Sequence, residues 1–333
     1  MPIAEALPFP TTLPRGFAHL PSEPVFDPAR HLALEMPETR TSLADLGYGA
    51  DEIATCPSDL GITSPFRVLS DEGAACMLEV ARLLSVHATS NFRIERMVRG
   101  GAYRSRFLRD LSLSPDVSDW IAQIFGAPVL PHSIPHQLGH LNYNPERVGT
   151  NVDKWHTDTL RIDYVMFVTD PRGVKGGEFQ YFRGTKHEMK ALADAGKPIP
   201  ADRIVSPTLP GPGYAVLQQG NMVVHRARGL TEPAERITMV NGYVPGEIVF
   251  PYFTRYDQLY LVDPRHVVTE EYTRHVAWMG REILRHRLDH PSYSEDRSAE
   301  VASFERLSTL FAAAANEIRN ANEAHAEHFG DGE

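Results

Sequence analysis

Apolar positions recur along this chain in two different rhythms. Behind Ser70-Asp71-Glu72, the residues Met77, Val80, Ala81 and Leu84 form a stripe of helical period. With a good N-cap and acidic residues in its first turn, that stripe predicts a helix over 71–86. Ser114-Pro115-Asp116 opens a second helix, with Val117, Trp120, Ile121 and Ile124 on one face and Gly126 as its stop. From about 130 to 245 the texture changes to short runs rich in Val, Ile, Phe, Tyr and Met, punctuated by Gly, Pro, Asn and Asp. This is the rhythm of antiparallel strands and turns, predicted at 134–142, 151–156, 162–169, 178–183, 214–218, 222–226 and 236–244. Both helices are expected to precede the strands. Helical spacing returns after 269, where Thr269 is the expected cap for Tyr272, Val276, Met279 and Ile283. It recurs at Val301, Phe304, Leu307, Phe311 and Ile318.

That order predicts a mainly β protein with flanking helices, its core a jelly roll or double-stranded barrel. Prolines at 2, 8, 10, 14, 21, 24, 28 and 37 make residues 1–40 an extended arm over the body, since proline fixes φ and removes a ladder donor. Residues 41–333 then form one domain, with the β core at about 130–245 and a helical C-terminal part at about 265–330. The final helices are expected to be outer packing or the contact of a homodimer.

Composition narrows the partners. Lys and Arg number 33 against 43 Asp and Glu, a net charge of −10, which argues against a general binder of nucleic acid or acidic membrane. A small-molecule partner is favoured. Two cysteines, Cys56 and Cys76, cannot build a disulfide framework, and neither a signal peptide nor an apolar membrane span is visible. A reducing, cytoplasmic home is expected.

Candidate chemistry begins at Trp155-His156-Thr157-Asp158, where an imidazole and a carboxylate two residues apart share one side of an extended segment. Alone the pair is weak evidence, because a chain with 15 histidines shows about one His-x-Asp by chance. His225 ends the apolar run Met222-Val223-Val224. Joined to the first pair, it completes a face of two histidines and one carboxylate that leaves metal positions open for substrate atoms and O2. Arg236, in Glu235-Arg236-Ile237-Thr238-Met239-Val240, alternates onto one face with Thr238 and Val240. An inward arginine in an apolar strand is costly unless an anion, or an internal salt bridge, meets its donor fork.

At these residues the sequence resembles the Fe(II)- and 2-oxoglutarate-dependent dioxygenases, and most closely their phytanoyl-CoA-dioxygenase-like branch. The likeness is carried by His156-Thr157-Asp158, the turn from Gly176 to His187, His225, and Arg236 with Thr238, over about residues 65–245. It implies a double-stranded β-helix core of the jelly-roll or cupin type. It also implies Fe(II) held by His156, Asp158 and His225, and 2-oxoglutarate whose far carboxylate meets Arg236. The turn Gly184-Thr185-Lys186-His187 departs from the Pro-Gly-Ser-His type of turn common in the family. In halogenating relatives a small residue stands at the carboxylate position, so Asp158 points instead to hydroxylation, desaturation or ring closure.

Around this centre, His140 is expected beside the co-substrate with Thr238. Asn142, Phe182, Arg226 and Arg228 are expected beside the substrate, a small carboxylate-bearing or amino-acid-like metabolite. Phe179 and Tyr181 are further candidates for the lining. His136 and His140 also read as a zinc-hydrolase pair, but Gln137 stands where the general base belongs and Pro135 precedes them. On a strand, His136, His140 and Asn142 share one face. Six arginines between 91 and 110 are expected either to steer an anion or to form a solvated, paired face. A barrel that binds a small molecule without turnover is the remaining alternative.

Overall fold

The computed structural model describes residues 3–247, 254–291, 293, 295–323 and 328–330. Its strands are β1 (Arg40–Ser42), β2 (Leu60–Thr63), β3 (Phe66–Arg67), β4 (Met97–Val98), β5 (Val129–Pro131), β6 (His140–Tyr143), β7 (Asp153–His156), β8 (Ile162–Phe167), β9 (Phe179–Phe182), β10 (Ile204–Val205), β11 (Tyr214–Gln218), β12 (His225–Ala227) and β13 (Ile237–Pro245). All their pairings are antiparallel. The larger sheet runs β1-β2-β11-β8-β13-β6-β4, and β3 and β5 join it on β11 and β13. The smaller runs β10-β9-β12-β7. From β6 to β13 the chain thus visits the sheets in the order of a double-stranded β-helix, with β11-β8-β13-β6 facing β10-β9-β12-β7.

Alternation along the larger sheet divides two cores. Tyr164, Met166, Leu217 and Met239 point outward under Met77, Val80 and Leu84 of α3 (Asp71–Leu84), Phe107 and Leu111 of α4 (Arg106–Ser112), and Ile121 and Ile124 of α5 (Pro115–Phe125). Val165, Val216 and Val240 point inward and meet Phe179 and Tyr181 of the smaller sheet. Ser70 caps α3 by accepting from the Gly73 N–H, and Gly126 ends α5 in the left-handed conformation. Two one-turn helices, α1 (Pro28–His31) and α2 (Ala50–Ile53), precede these. Behind them come α6 (Lys186–Asp194), α7 (Tyr256–Val262), α8 (Arg265–Asp289) and α9 (Ser298–Asn320).

Several expectations need correction. The predicted strand 134–142 is broken: Pro135 starts a 3-10 turn over 135–137, so His136 shares no strand face with His140 and Asn142. His136 is instead buried against Glu271 of α8, its Nδ1 2.7 Å from Oε1, and this removes the zinc-pair reading. The last predicted strand before Arg236 starts late, at His225, because Met222 and Val223 form a turn on the Gln219 carbonyl. Four short strands precede β5 and widen the larger sheet, so the helices do not simply come first. Pro264 rather than Thr269 stands at the start of α8, and the Thr269 hydroxyl bonds back to the Arg265 carbonyl. Nor is the C-terminal part helical throughout, since residues 328–330 run extended along β7, through Phe329 N to Trp155 O and Trp155 N to Gly330 O. No helix among the described residues is long and apolar enough to cross a membrane.

Candidate active site

Strand pairing builds the centre of the site. β7 and β12 lie antiparallel with His156 directly opposite His225, so both imidazoles leave the smaller sheet on one face, their centroids 4.3 Å apart. Two residues past His156 the chain turns back, the Asp158 N–H donating to the Gly220 carbonyl at 2.8 Å. This puts Asp158 Oδ1 3.3 Å from His156 Nε2 and Oδ2 3.3 Å from His225 Nε2. The ligating atoms of the three residues all lie within 4.8 Å of one another.

Each ring is fixed from behind. His156 Nδ1 donates to the Lys154 carbonyl at 2.6 Å and His225 Nδ1 to the Val223 carbonyl at 3.0 Å, which leaves both Nε2 atoms directed at the common point. Two imidazole nitrogens with fixed tautomers and one carboxylate are the donor set that suits a ferrous ion with open positions. Burial opposes charge on His225, yet the neighbouring Asp158 carboxylate raises its pKa to about 9. Asp158 is held well below the usual carboxylate range by the two histidines, against its burial. Behind it, burial and the Asp158 charge push Asp163 well above that range, so of the two carboxyls Asp163 holds its proton more firmly. Gln218, its register partner, donates to Asp163 Oδ1 at 3.0 Å.

A cavity of about 540 Å³ opens over these ligands. Its other walls include His140, Asn142 and Thr238 of the larger sheet, Arg236 just before β13, and Gln258, Leu259 and Val262 of α7. Arg236 is 2% exposed; its Nε donates to the Gly177 carbonyl at 2.6 Å and its Nη1 to Thr238 Oγ1 at 3.3 Å. Nη2 is buried with no protein acceptor, His140 Nε2 is buried without a hydrogen-bond partner, and Asn142 Oδ1 is a buried acceptor without a donor. These three atoms belong to residues of the cavity wall, and orphaned polar atoms there mark a place where a ligand completes the bonding. Burial lowers the Arg236 pKa to about 10, which leaves it charged at neutral pH.

Three expected substrate residues point elsewhere. Next to His225, Arg226 alternates to the opposite face; it borders the cavity, but its guanidinium lies over the Trp155 ring and its Nε donates to Gln180. Phe182 is buried on that same outer face with Trp155 and Met189, whereas Phe179 lines the cavity. Arg228 is half exposed, its Nη1 3.9 Å from Glu178. Of the arginines between 91 and 110, Arg93, Arg99 and Arg109 pair with Asp153, Asp263 and Asp110; Arg93 and Arg99 are mostly buried and line the cavity, so the group is not one solvated face. Sequence reasoning missed Asp163, Gln218 and the α7 wall. Asp163 carried a signal, as a lone carboxylate within the apolar run Ile162–Phe167.

No protein-family model matches the chain, and no curated protein matches it. Among solved structures it is similar to the non-heme alpha-ketoglutarate dependent carbocyclase SnoK from nogalamycin biosynthesis. The identity is 17% and the TM-score 0.42, over 62% of this chain and 86% of that one. It is also similar to EctD from S. alaskensis with 2-oxoglutarate and 5-hydroxyectoine, at 18% identity and a TM-score of 0.43 over 73% and 93% of the two chains. For HygX from Streptomyces hygroscopicus with nickel and 2-oxoglutarate bound, the values are 14% and 0.39, over 60% and 88%. By its own strand order the chain is a double-stranded β-helix protein, with His156, Asp158 and His225 gathered at one end of the smaller sheet.

Proposed function

We propose that the protein is an Fe(II)- and 2-oxoglutarate-dependent dioxygenase that oxidises an unactivated C–H bond of a small carboxylate-bearing or amino-acid-like metabolite. In the balanced hydroxylation, one atom of O2 enters the substrate, the other enters succinate, and CO2 leaves. One observation carries the reading: the three ligating side chains and Arg236, whose Nη2 has no protein acceptor, line the same cavity. His156, Asp158 and His225 would hold a ferrous ion, which would supply the redox chemistry that C–H cleavage needs.

The chain's own residues do the rest. The Lys154 and Val223 carbonyls hold the imidazoles in the ligating tautomer, and the Asp163 carboxyl, its pKa raised by burial and by the Asp158 charge, backs the Asp158 carboxylate. Arg236 and Thr238 orient the far carboxylate of 2-oxoglutarate, while Met97, Val165, Phe179 and Val240 exclude water from that part of the cavity. In place of Arg226 and Arg228, Lys186, a cation that lines the cavity, is taken as the partner of a substrate carboxylate. Its Nζ is in the cavity wall, 3.4 Å from the Asn221 carbonyl and 3.4 Å from the Met222 sulfur.

Turnover of 2-oxoglutarate tests the reading. With Fe(II), ascorbate and O2, the protein releases succinate and CO2 in equal amounts even without substrate, and His225→Ala serves as the blank. A barrel that only binds small molecules releases neither.

A further inference from the structure

Register orders the polar groups along the cavity wall. Thr238 of β13 pairs with Asn142 of β6, and Val240 pairs with His140. His140 is therefore one pair further from Arg236 than Asn142 is, and the Asp158 charge acts on it. On its other side, His140 Nδ1 is 3.4 Å from Arg99 Nη1. A guanidinium only donates, so Nδ1 must be the acceptor. Burial, with the Arg99 charge beside it, keeps the ring neutral. A neutral imidazole that accepts at Nδ1 carries its hydrogen on Nε2. That Nε2 is the atom buried in the cavity wall without a protein partner.

Arg99 is itself clamped. Its Nε meets Asp263 Oδ1 at 2.8 Å and Oδ2 at 3.0 Å, its Nη2 reaches Gln137 Oε1 at 3.4 Å, and the Arg99 and Asp263 side chains are 12% and 2% exposed. Asp263 ends α7, so the C-terminal helical layer fixes the tautomer of a residue on the barrel wall. A buried N–H without an acceptor is costly; among the described residues the one protein acceptor beside it is the Asn142 side chain, two residues along β6, whose Oδ1 is otherwise unpartnered, and a ligand oxygen in the cavity is the other.

We infer that Arg99 and Asp263 are positioning residues that hold His140 as a neutral Nε2–H donor, and that this hydrogen bonds an oxygen at the metal end of 2-oxoglutarate. The inference rests on the function proposed above. Two measurements test it: 15N NMR of the imidazoles in the full-length protein, and anaerobic calorimetric titration of the Fe(II)-loaded protein with 2-oxoglutarate. The expected His140 spectrum is that of the Nε2-protonated tautomer. His140→Phe should weaken 2-oxoglutarate binding by roughly 10- to 100-fold, and His140→Gln, whose amide restores an N–H, should recover most of it. Arg99→Lys keeps a cation for Asp263 but frees Nδ1; it should weaken binding by roughly 3- to 10-fold and add the Nδ1-protonated tautomer, with the melting temperature nearly unchanged. An Nδ1-protonated ring in the wild type overturns the inference. So does wild-type 2-oxoglutarate affinity in His140→Phe, including the case where only the KM of a substrate rises. Failure of the wild type itself to bind 2-oxoglutarate counts against the functional reading instead, and the tautomer still reports on the Arg99 contact.

Discussion

Removing the Arg236 guanidinium should cost the protein its co-substrate and little else. The side chain is 2% exposed, is held by the Gly177 carbonyl and Thr238, and lies 4.9 Å from the Phe167 ring centroid. Its Nη2 has no acceptor until an anion arrives. Truncating one partner of a buried, hydrogen-bonded charge pair costs about 2 to 5 kcal/mol. At about 1.4 kcal/mol per tenfold, Arg236→Ala should weaken 2-oxoglutarate binding by roughly 30-fold to a few thousand-fold. Arg236→Lys should fall between, because a point charge keeps the attraction and loses the planar fork. Anaerobic titration calorimetry on metal-loaded protein measures the loss, and a parallel metal titration should show unchanged metal affinity. An arginine that merely supports the barrel predicts the reverse, a lowered melting temperature with co-substrate affinity kept. Intact 2-oxoglutarate binding in folded Arg236→Ala would refute the assignment.

His156→Ala, Asp158→Ala and His225→Ala should each abolish succinate formation while melting within about 5 °C of wild type, since the ligands sit at a cavity rather than in the core; wild-type rates in any one variant would show that it is no ligand. Gly220→Ala should weaken metal binding by about tenfold or more, because a Cβ there would lie 2.8 Å from Asp158 Oδ2 and 2.5 Å from Asp163 Oδ2; competition with a fluorescent chelator reads the change. Acid should destabilise the fold through His132, whose pKa is lowered from 6.5 to about 3 by burial and then by Arg99. The unfolded chain takes up that proton first, so this stability is present above pH 6.5 and lost as pH falls towards 3, on the order of 3 kcal/mol at pH 4. Urea unfolding at pH 7 and pH 4 should show a smaller loss in His132→Gln than in wild type. His136 works in the opposite sense. Burial lowers its pKa, but Glu271 outweighs burial and raises it, so its contribution is kept in acid and lost as pH rises through the raised value.

What the sequence made legible was whatever local periodicity controls. The caps of α3 and α5, the alternation of Arg236 and Thr238, and the spacing of His156 and Asp158 are all set by neighbours in the chain. The same alternation already turns Arg226 away from the face that His225 presents, and its guanidinium lies over the Trp155 ring at the cavity border. The capping box of α6, Thr185 with Glu188, is likewise a local signal, and it opens a helix directly after the turn at Gly184. Long-range partners were not readable. Nothing near His136 announces Glu271, and nothing near Arg99 announces Asp263, because those pairings exist only once α8 and α7 dock on the barrel. The extended tail on β7 is hidden for the same reason, since its bonds to Trp155 are backbone bonds that carry no residue signature.

The central claim is that one cavity binds ferrous ion through His156, Asp158 and His225 and 2-oxoglutarate through Arg236. Anaerobic titration of the protein with Fe(II) and then 2-oxoglutarate, followed in the visible spectrum, tests it most directly. The account predicts a weak charge-transfer band that saturates at one equivalent of each, is absent in His225→Ala, and in Arg236→Ala needs far more 2-oxoglutarate. No band in the wild type, or an unchanged band in His225→Ala, would contradict it.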